Sequence, residues 1–303
     1  MLSEITDEDY KNQVIFLLNN NWTGRTDYYF PAQTAVNVER SHFIKLKNYK
    51  YMFCKKNTKE TRRAILFMFI NSRAENTSVI ILSDFTIYNI DINCSHDYFY
   101  GSIFDISYAQ DEIIICDSFM SSGNKINRAS YEDRLSDSSY FISNVINTDV
   151  PINIINYTTD ISGVSKLEDN EELFIMPNNL PITTGINYSC FKWKPTEKLV
   201  FNLKVTENEN DIDLYTTNFK KSCIFATIKG DIDTGKEQID FIKGLEDYSN
   251  ECIVEFNITT DKIIPMRVTK DNTIPTSIRS IEKIIHIKRE NITLQDLTDN
   301  CSK

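Results

Sequence analysis

The sequence predicts an α+β protein in two parts, and three observations carry that expectation. Short apolar runs with alternating side chains, bounded by Asn, Asp and Ser, recur from Tyr49 to Phe119 and again from Leu199 to Val268. Between these runs stands F-K-W-K-P, residues 191–195, where a proline interrupts the strand pattern and sets a boundary near Pro195 to Leu199. Helical periodicity falls at the two ends and at 131–145. The parts are therefore 1–198 and 199–303.

A first helix is expected from Asp7 to Asn19, with Thr6 as its cap, Asp9 three residues on, and Tyr10, Val14, Leu17 and Leu18 on one face. Five stretches then read as successive antiparallel strands: "YKYMFCK" from Tyr49, "RAILFMFI" from Arg63, "SVIILSDFTIYNIDI" from Ser78, "DYFYGSIFDI" from Asp97 and "EIIICDSF" from Glu112. A second helix fits Tyr131 to Val145. Beyond Trp193 come "LVFNLKV", "DIDLYTT", "SCIFATI", "CIVEFNI" and "KIIPMRV". Five short strands after a proline suit a small barrel of the oligonucleotide-binding (OB) type. A closing helix, Ser277 to Lys288, carries Ile278, Ile281 and Ile285 at helical spacing.

Composition narrows the classes of function. With 303 residues, 41% hydrophobic and 25% charged, the chain can bury two modest cores, and disorder is not its main theme. A net charge of -10 argues against indiscriminate coating of nucleic acid, so any such contact is local. Seven cysteines (54, 94, 116, 190, 223, 252 and 301) form no C-x-x-C pair and the three histidines lie far apart, which gives no zinc or thioredoxin-like spacing. The start "MLSEITDEDY" is too acidic for a signal peptide, and the longest apolar run, "AILFMFI" at 64–70, is too short to cross a membrane. These features fit a reducing, intracellular setting without membrane attachment.

Three stretches carry chemistry. The first is "YYFPAQTAVNVER", Tyr28 to Arg40, followed sixteen residues later by Lys56. The second is Lys45 to Arg63, with eight basic residues and one acidic one, a local charge of +7. Read alone, it is a solvated hairpin more often than an anion site. The third is "SCFKWKP". In an extended chain Lys192 and Lys194 share one face while Phe191 and Trp193 take the other. Like charges side by side call for an anion or for open solvent between them.

In their order and spacing these stretches resemble the mRNA guanylyltransferases, the GMP-transferring part of capping enzymes. "FPAQ" resembles the family's F-P-G-x-Q-P-V segment, "FKWKP" its motif V, and "ECIVEFNITTDKIIPMRVTKDNTIPTS", 251–277, the stretch ending in its motif VI. The resemblance implies a nucleotidyltransferase domain with antiparallel sheets over 1–198 and an OB-fold domain with a C-terminal helix over 199–303. It implies that Lys56 takes GMP from GTP and passes it to the diphosphate 5′ end of RNA, with Mg²⁺ or Mn²⁺ neutralising charge. Arg62, Lys192, Lys194, Arg267 and Asp271 would bind the nucleotide. The implied partners are RNA 5′ ends, an RNA triphosphatase and a cap methyltransferase in trans, and RNA polymerase. The implied location is nuclear, or cytoplasmic for a viral protein.

The chain departs from that family at several points. Motif I, Lys-x-Asp-Gly-x-Arg, is met by Lys56 followed by "NTKETRR", with Arg62 or Arg63 for the arginine and no Asp-Gly. Motif III reads as "YGSIF", with Tyr100 and Ser102 flanking Gly101 in place of carboxylates. Motif IV reads as "TTGINY", with Thr184 before Gly185. Asp117 and Arg134 match better, while Thr269 and Asn272 replace basic residues of motif VI. The metal ligands are therefore unassigned, with Glu60, Asp97 and Asp105 as substitute carboxylates. A second expectation arises, in which a catalytically impaired homologue binds nucleotide, RNA 5′ ends or a protein partner. A polynucleotide ligase shares the lysine chemistry and the barrel, but F-P-x-Q and the closing helix fit it less well.

Overall fold

The computed structural model describes residues 2–24, 30–57, 61–109, 111–164, 167–168, 171–195, 199–219, 221–258, 263–269 and 274–301. Met1–Trp193 with Leu297–Lys303 forms one compact unit, and Lys194–Asp296 a second.

The first unit is built on two large sheets. An eight-stranded sheet runs in the order Ser3–Glu4, Ile87–Asn89, Asn76–Leu82, Arg62–Ile70, Ser102–Ala109, Glu112–Ser121 and Asn124–Lys125, with Ile152–Ile154 pairing in parallel with Glu112–Ser121. Alternation along the central strand explains how it is buried on both faces. Ile65, Phe67 and Phe69 pack with Val14, Ile15, Leu18 and Trp22 of the first helix. Ala64, Leu66 and Met68 point the other way, toward Tyr98, Phe141 and Val150. The second sheet has five strands in the order Tyr157–Thr158, Tyr51–Asn57, Glu171–Pro177, Gly185–Trp193 and Gln33–Asn37, the last pair parallel.

The helices correct the sequence reading at their ends. The first spans Glu8–Trp22, and its cap is Asp7 rather than Thr6, because the Asp7 carboxylate accepts from the backbone N–H groups of Asp9 and Tyr10. It runs past Asn19 because Trp22 stacks on Phe119, ring centroids 5.1 Å apart. The second spans Tyr131–Ser143 behind a Ser130 cap. "DYFYGSIFDI" is not one strand. His96–Tyr100 is a short 3-10 helix, Gly101 turns the chain at φ 118°, and the strand starts at Ser102. "SVIILSDFTIYNIDI" is likewise broken, at a turn where Phe85 takes φ 64°.

In the second unit five antiparallel strands follow the order Lys221–Ile228, Asp211–Asn218, Val200–Asn208, Ile253–Ile258, Ile263–Val268. Helix Asp233–Lys243 lies in sequence between the third and fourth strands. This is OB-type connectivity, presented as an open sheet among the described residues. Phe201, Leu203, Leu214, Val254, Phe256 and Ile281 fill its core. The closing helix spans Ile278–Glu290 behind a Ser277 cap, and Leu294–Asn300 follows it. The protein is thus α+β with several antiparallel sheets. No described helix is long and apolar enough to cross a membrane.

Candidate active site

Strand register assembles one side of the site. Lys56 lies directly across from Glu172, and Phe174 lies across from both Cys54 and Lys192. Directly opposed residues share a face and alternate residues along a strand do too, so Cys54, Lys56, Glu172, Phe174 and Lys192 share one face of the five-stranded sheet. The Lys192 ammonium is 3.4 Å from the Glu172 carboxylate. Lys56 Nζ rests 5.5 Å from the centroid of the Phe174 ring, a cation–π contact. Lys56 is half-buried and makes no ion pair with a carboxylate among the described residues.

The eight-stranded sheet contributes Arg63 and Asp105, forty-two residues apart in sequence. Arg63 donates to the two Asp105 oxygens at 3.0 and 3.4 Å, to Thr34 Oγ1 at 3.3 Å, and to the Gln33 carbonyl. A cavity of about 180 Å³ is lined by Lys56, Arg63 and Lys192, with Asp105, Asp117 and Gln33 among its other walls. Both carboxylates in that lining are already committed, Asp105 to Arg63 and Asp117 to Arg134. The positive charge of the lysines is therefore not cancelled from within the lining.

A buried polar network underlies the cavity. Asp117 and Arg134 are each 2% exposed and meet at 2.7 Å, with a second bond of 3.1 Å. Burial pushes the Asp117 carboxyl above its usual range, against the pull of Arg134. The Gln33 side chain donates to Asp117 at 3.4 Å and accepts from Asn187 at 2.9 Å, while the backbone carbonyl of the same residue accepts from Arg63. Cys54 and Cys190 also line the cavity, and burial pushes both thiols up to about 12, so they are neutral and unreactive at neutral pH.

A larger, polar cavity of about 780 Å³ shares Lys56, Cys116 and Ile155 with the first. Its walls include Lys55, Asn57, Thr61, Asn153 and Asn156. The Ser107 hydroxyl also lines it, 2% exposed, with the Cys116 thiol as its neighbour. No group of three metal-ligating side chains converges among the described residues. Glu172, across from Lys56, is tied to Lys192 by a 3.4 Å contact.

The predicted site residues fare differently. Lys56 and Lys192 line the same cavity, and Arg63 rather than Arg62 lies with them. Arg62 is exposed and paired with Asp84 at 2.8 Å, because neighbouring residues on a strand face opposite ways. Lys194 and Arg267 belong to the second unit, where Arg267 bonds Glu255 at 3.1 Å. Asp271 and Glu60 lie outside the described residues. Of the substitute carboxylates, Asp105 lines the cavity and Asp97 does not. Tyr100, 59% exposed, and Thr184 are also absent from its lining. Sequence reasoning missed Glu172 and Phe174, whose only local signal is the alternation of "EELFIMP".

No protein-family model matches the sequence, and no curated protein matches it. Among the solved structures similar to it are DNA ligases. They include a Lig E DNA ligase described as binding DNA with a minimal scaffold (TM-score 0.38, 10% identity, 79% of this chain and 99% of that one). The ligase domain of LigD from M. tuberculosis gives TM-score 0.36 at 6% identity over 80% and 94% of the two chains. The ATP-dependent DNA ligase of bacteriophage T7, in complex with ATP, gives TM-score 0.36 at 10% identity over 82% and 98%. Likenesses this distant say nothing about chemistry, which only the residues of the site can define.

Proposed function

We propose that this protein is a nucleotidyltransferase that carries a nucleoside monophosphate on Lys56, and that, as the family resemblance implies, the nucleotide is GTP and the acceptor an RNA 5′ end. The observation that carries the reading is the Lys56 amine, which has no carboxylate ion-pair partner among the described residues and lines a cavity with Arg63 and Lys192. A lysine attacks phosphorus only when neutral, through its nitrogen lone pair. In the first step the Lys56 N–P bond forms, the bond from the α-phosphorus to the bridging oxygen breaks, pyrophosphate leaves and the nitrogen gives its proton to solvent. In the second, a terminal oxygen of the RNA diphosphate attacks the same phosphorus, the N–P bond breaks and Lys56 regains a proton. Lys192 supplies positive charge where the phosphate oxygens gain negative charge, and Arg63, paired with Asp105, orders the Gln33 and Thr34 side of the cavity. A divalent ion would neutralise phosphate charge, and Glu172, across from Lys56, is the side chain that would help hold it.

The test is incubation with GTP labelled at its α-phosphate and Mg²⁺ or Mn²⁺. The expected product is protein-bound label that survives denaturation and is lost in acid. Lys56→Ala abolishes it, Lys55→Ala keeps it, and Lys192→Ala lowers the rate about thirty-fold or more, the scale of one lost charge-assisted contact. Folded protein that takes no label with any nucleotide or metal refutes the reading and supports a nucleotide-binding or RNA-end-binding module instead.

A further inference from the structure

The tip of the hairpin joining Asp211–Asn218 to Lys221–Ile228 carries Phe219, a large apolar side chain that is 75% exposed. Its backbone is held at φ 48°, a left-handed conformation that a bulky residue adopts at a cost and that turns ordinarily assign to Gly or Asn. Neither exposure nor strain helps the fold. The Arg279 guanidinium stacks on the ring, 4.5 Å from its centroid. Arg279 has no carboxylate partner among the described residues, and the first turn of its helix, Ile278–Glu290, holds no acidic side chain. The parallel bridge between Thr217 and Ser277 and the bond from Thr216 Oγ1 to the Thr276 carbonyl dock that helix start against the strand leading to the tip. In sequence the tip reads N-F-K-K, so Lys221, exposed at the start of the returning strand, adds a second cation.

We propose that Phe219 and Arg279 form a stacking platform for one unpaired base of a single-stranded nucleic acid, with Lys221 toward the adjoining phosphate. An exposed π-face backed by a guanidinium accepts any base, because every base has a π-face, and cations beside it track the backbone. A protein docking patch of this size is ordinarily apolar at its centre and poor in lysine, which disfavours that alternative. The overall charge of -10 makes such a contact necessarily local. The inference goes beyond the nucleotidyl-transfer reading and draws on it only for the kind of acceptor, RNA.

The test uses the full chain and a fluorescein-labelled oligouridylate 12-mer, read by anisotropy at low salt. Phe219→Ala and Arg279→Ala each weaken binding about five-fold or more, the scale of one lost base stack. Phe219→Trp retains binding, and its indole fluorescence is quenched when oligonucleotide is added. Lys56→Ala leaves oligonucleotide affinity unchanged while abolishing GMP label, and Phe219→Ala leaves the label from GTP alone unchanged, so failure of either reading is visible separately. Thermal midpoints equal to wild type verify that the exposed substitutions leave the fold intact. The platform is overturned if the wild type does not bind the 12-mer, if Phe219→Ala binds it as tightly, or if Phe219→Trp shows no quenching.

Discussion

Breaking the Asp117–Arg134 pair should unfold the first unit more readily than any other single polar change. Arg134 is the largest fully buried side chain, and it makes bonds of 2.7 and 3.1 Å to Asp117 and 2.7 Å to the Ala129 carbonyl. Arg134→Met keeps most of the volume but leaves the Asp117 carboxylate buried, with only Gln33 and the Ser118 backbone N–H as donors. Removing one partner of a buried pair costs about 3–5 kcal/mol, because the other charge stays in a medium that cannot solvate it. Replacing both partners by apolar residues avoids that penalty, so Asp117→Leu with Arg134→Met should return to within about 2 kcal/mol of wild type. Urea unfolding followed by tryptophan fluorescence suits the measurement, since Trp22 and Trp193, the chain's 2 tryptophans, both belong to the first unit. A loss below about 1 kcal/mol for Arg134→Met, or a double variant as unstable as the sum of the singles, would refute the reasoning.

Three further outcomes are expected. Glu172→Gln frees Lys192 from its partly exposed ion pair, and calorimetry without metal should show pyrophosphate binding tightened about two- to five-fold, the worth of such a pair; weaker binding would contradict the pairing. Cys54 and Cys190 should resist a thiol reagent at pH 8 until denaturant is added, as their thiols are pushed up to about 12. The sign comes from the same shift: folding favours the neutral thiol, so this contribution is complete below an unfolded value near 9.0 and is lost as pH rises toward about 12, which a fall in thermal midpoint between pH 9 and 11 would register. Ser130→Ala removes the cap of Tyr131–Ser143 and should cost about 1 kcal/mol, and a Ser130→Asp variant of near wild-type stability would assign that loss to the cap.

Much of the fold was legible because its signals are local. The strands from Tyr51 to Ser121 and the five strands of the second unit declared themselves through β-branched and aromatic alternation, and the closing helix through Ile278, Ile281 and Ile285. Helix ends were less legible. Asp7 and Thr6 are both good caps in sequence, and only the backbone path decides which one reaches the free N–H groups. Helix Asp233–Lys243 escaped notice because its apolar stripe is short, although Ile239 and Ile242 are buried.

Lys56 and Lys192 were singled out by the resemblance of "FPAQ" and "FKWKP" to guanylyltransferase segments, and composition alone confined any nucleic-acid contact to local patches. That Arg63, not Arg62, lies beside them is a matter of strand phase, set when Ala64, Leu66 and Met68 took one core and Ile65, Phe67 and Phe69 the other. A shift of one residue would have exchanged the two arginines. Asp105 was named in sequence only as one of three substitute carboxylates, and Glu172, Phe174 and the Phe219–Arg279 stack were not singled out there, since each depends on strand pairing or helix docking over many residues. The sequence by itself determined which residue types were present and where charge accumulates, because those are properties of single positions and their neighbours. Only the tertiary structure decided which carboxylates neutralise which cations, because pairing depends on distance and burial, and register places Glu172 across from Lys56 although more than a hundred residues separate them in the chain.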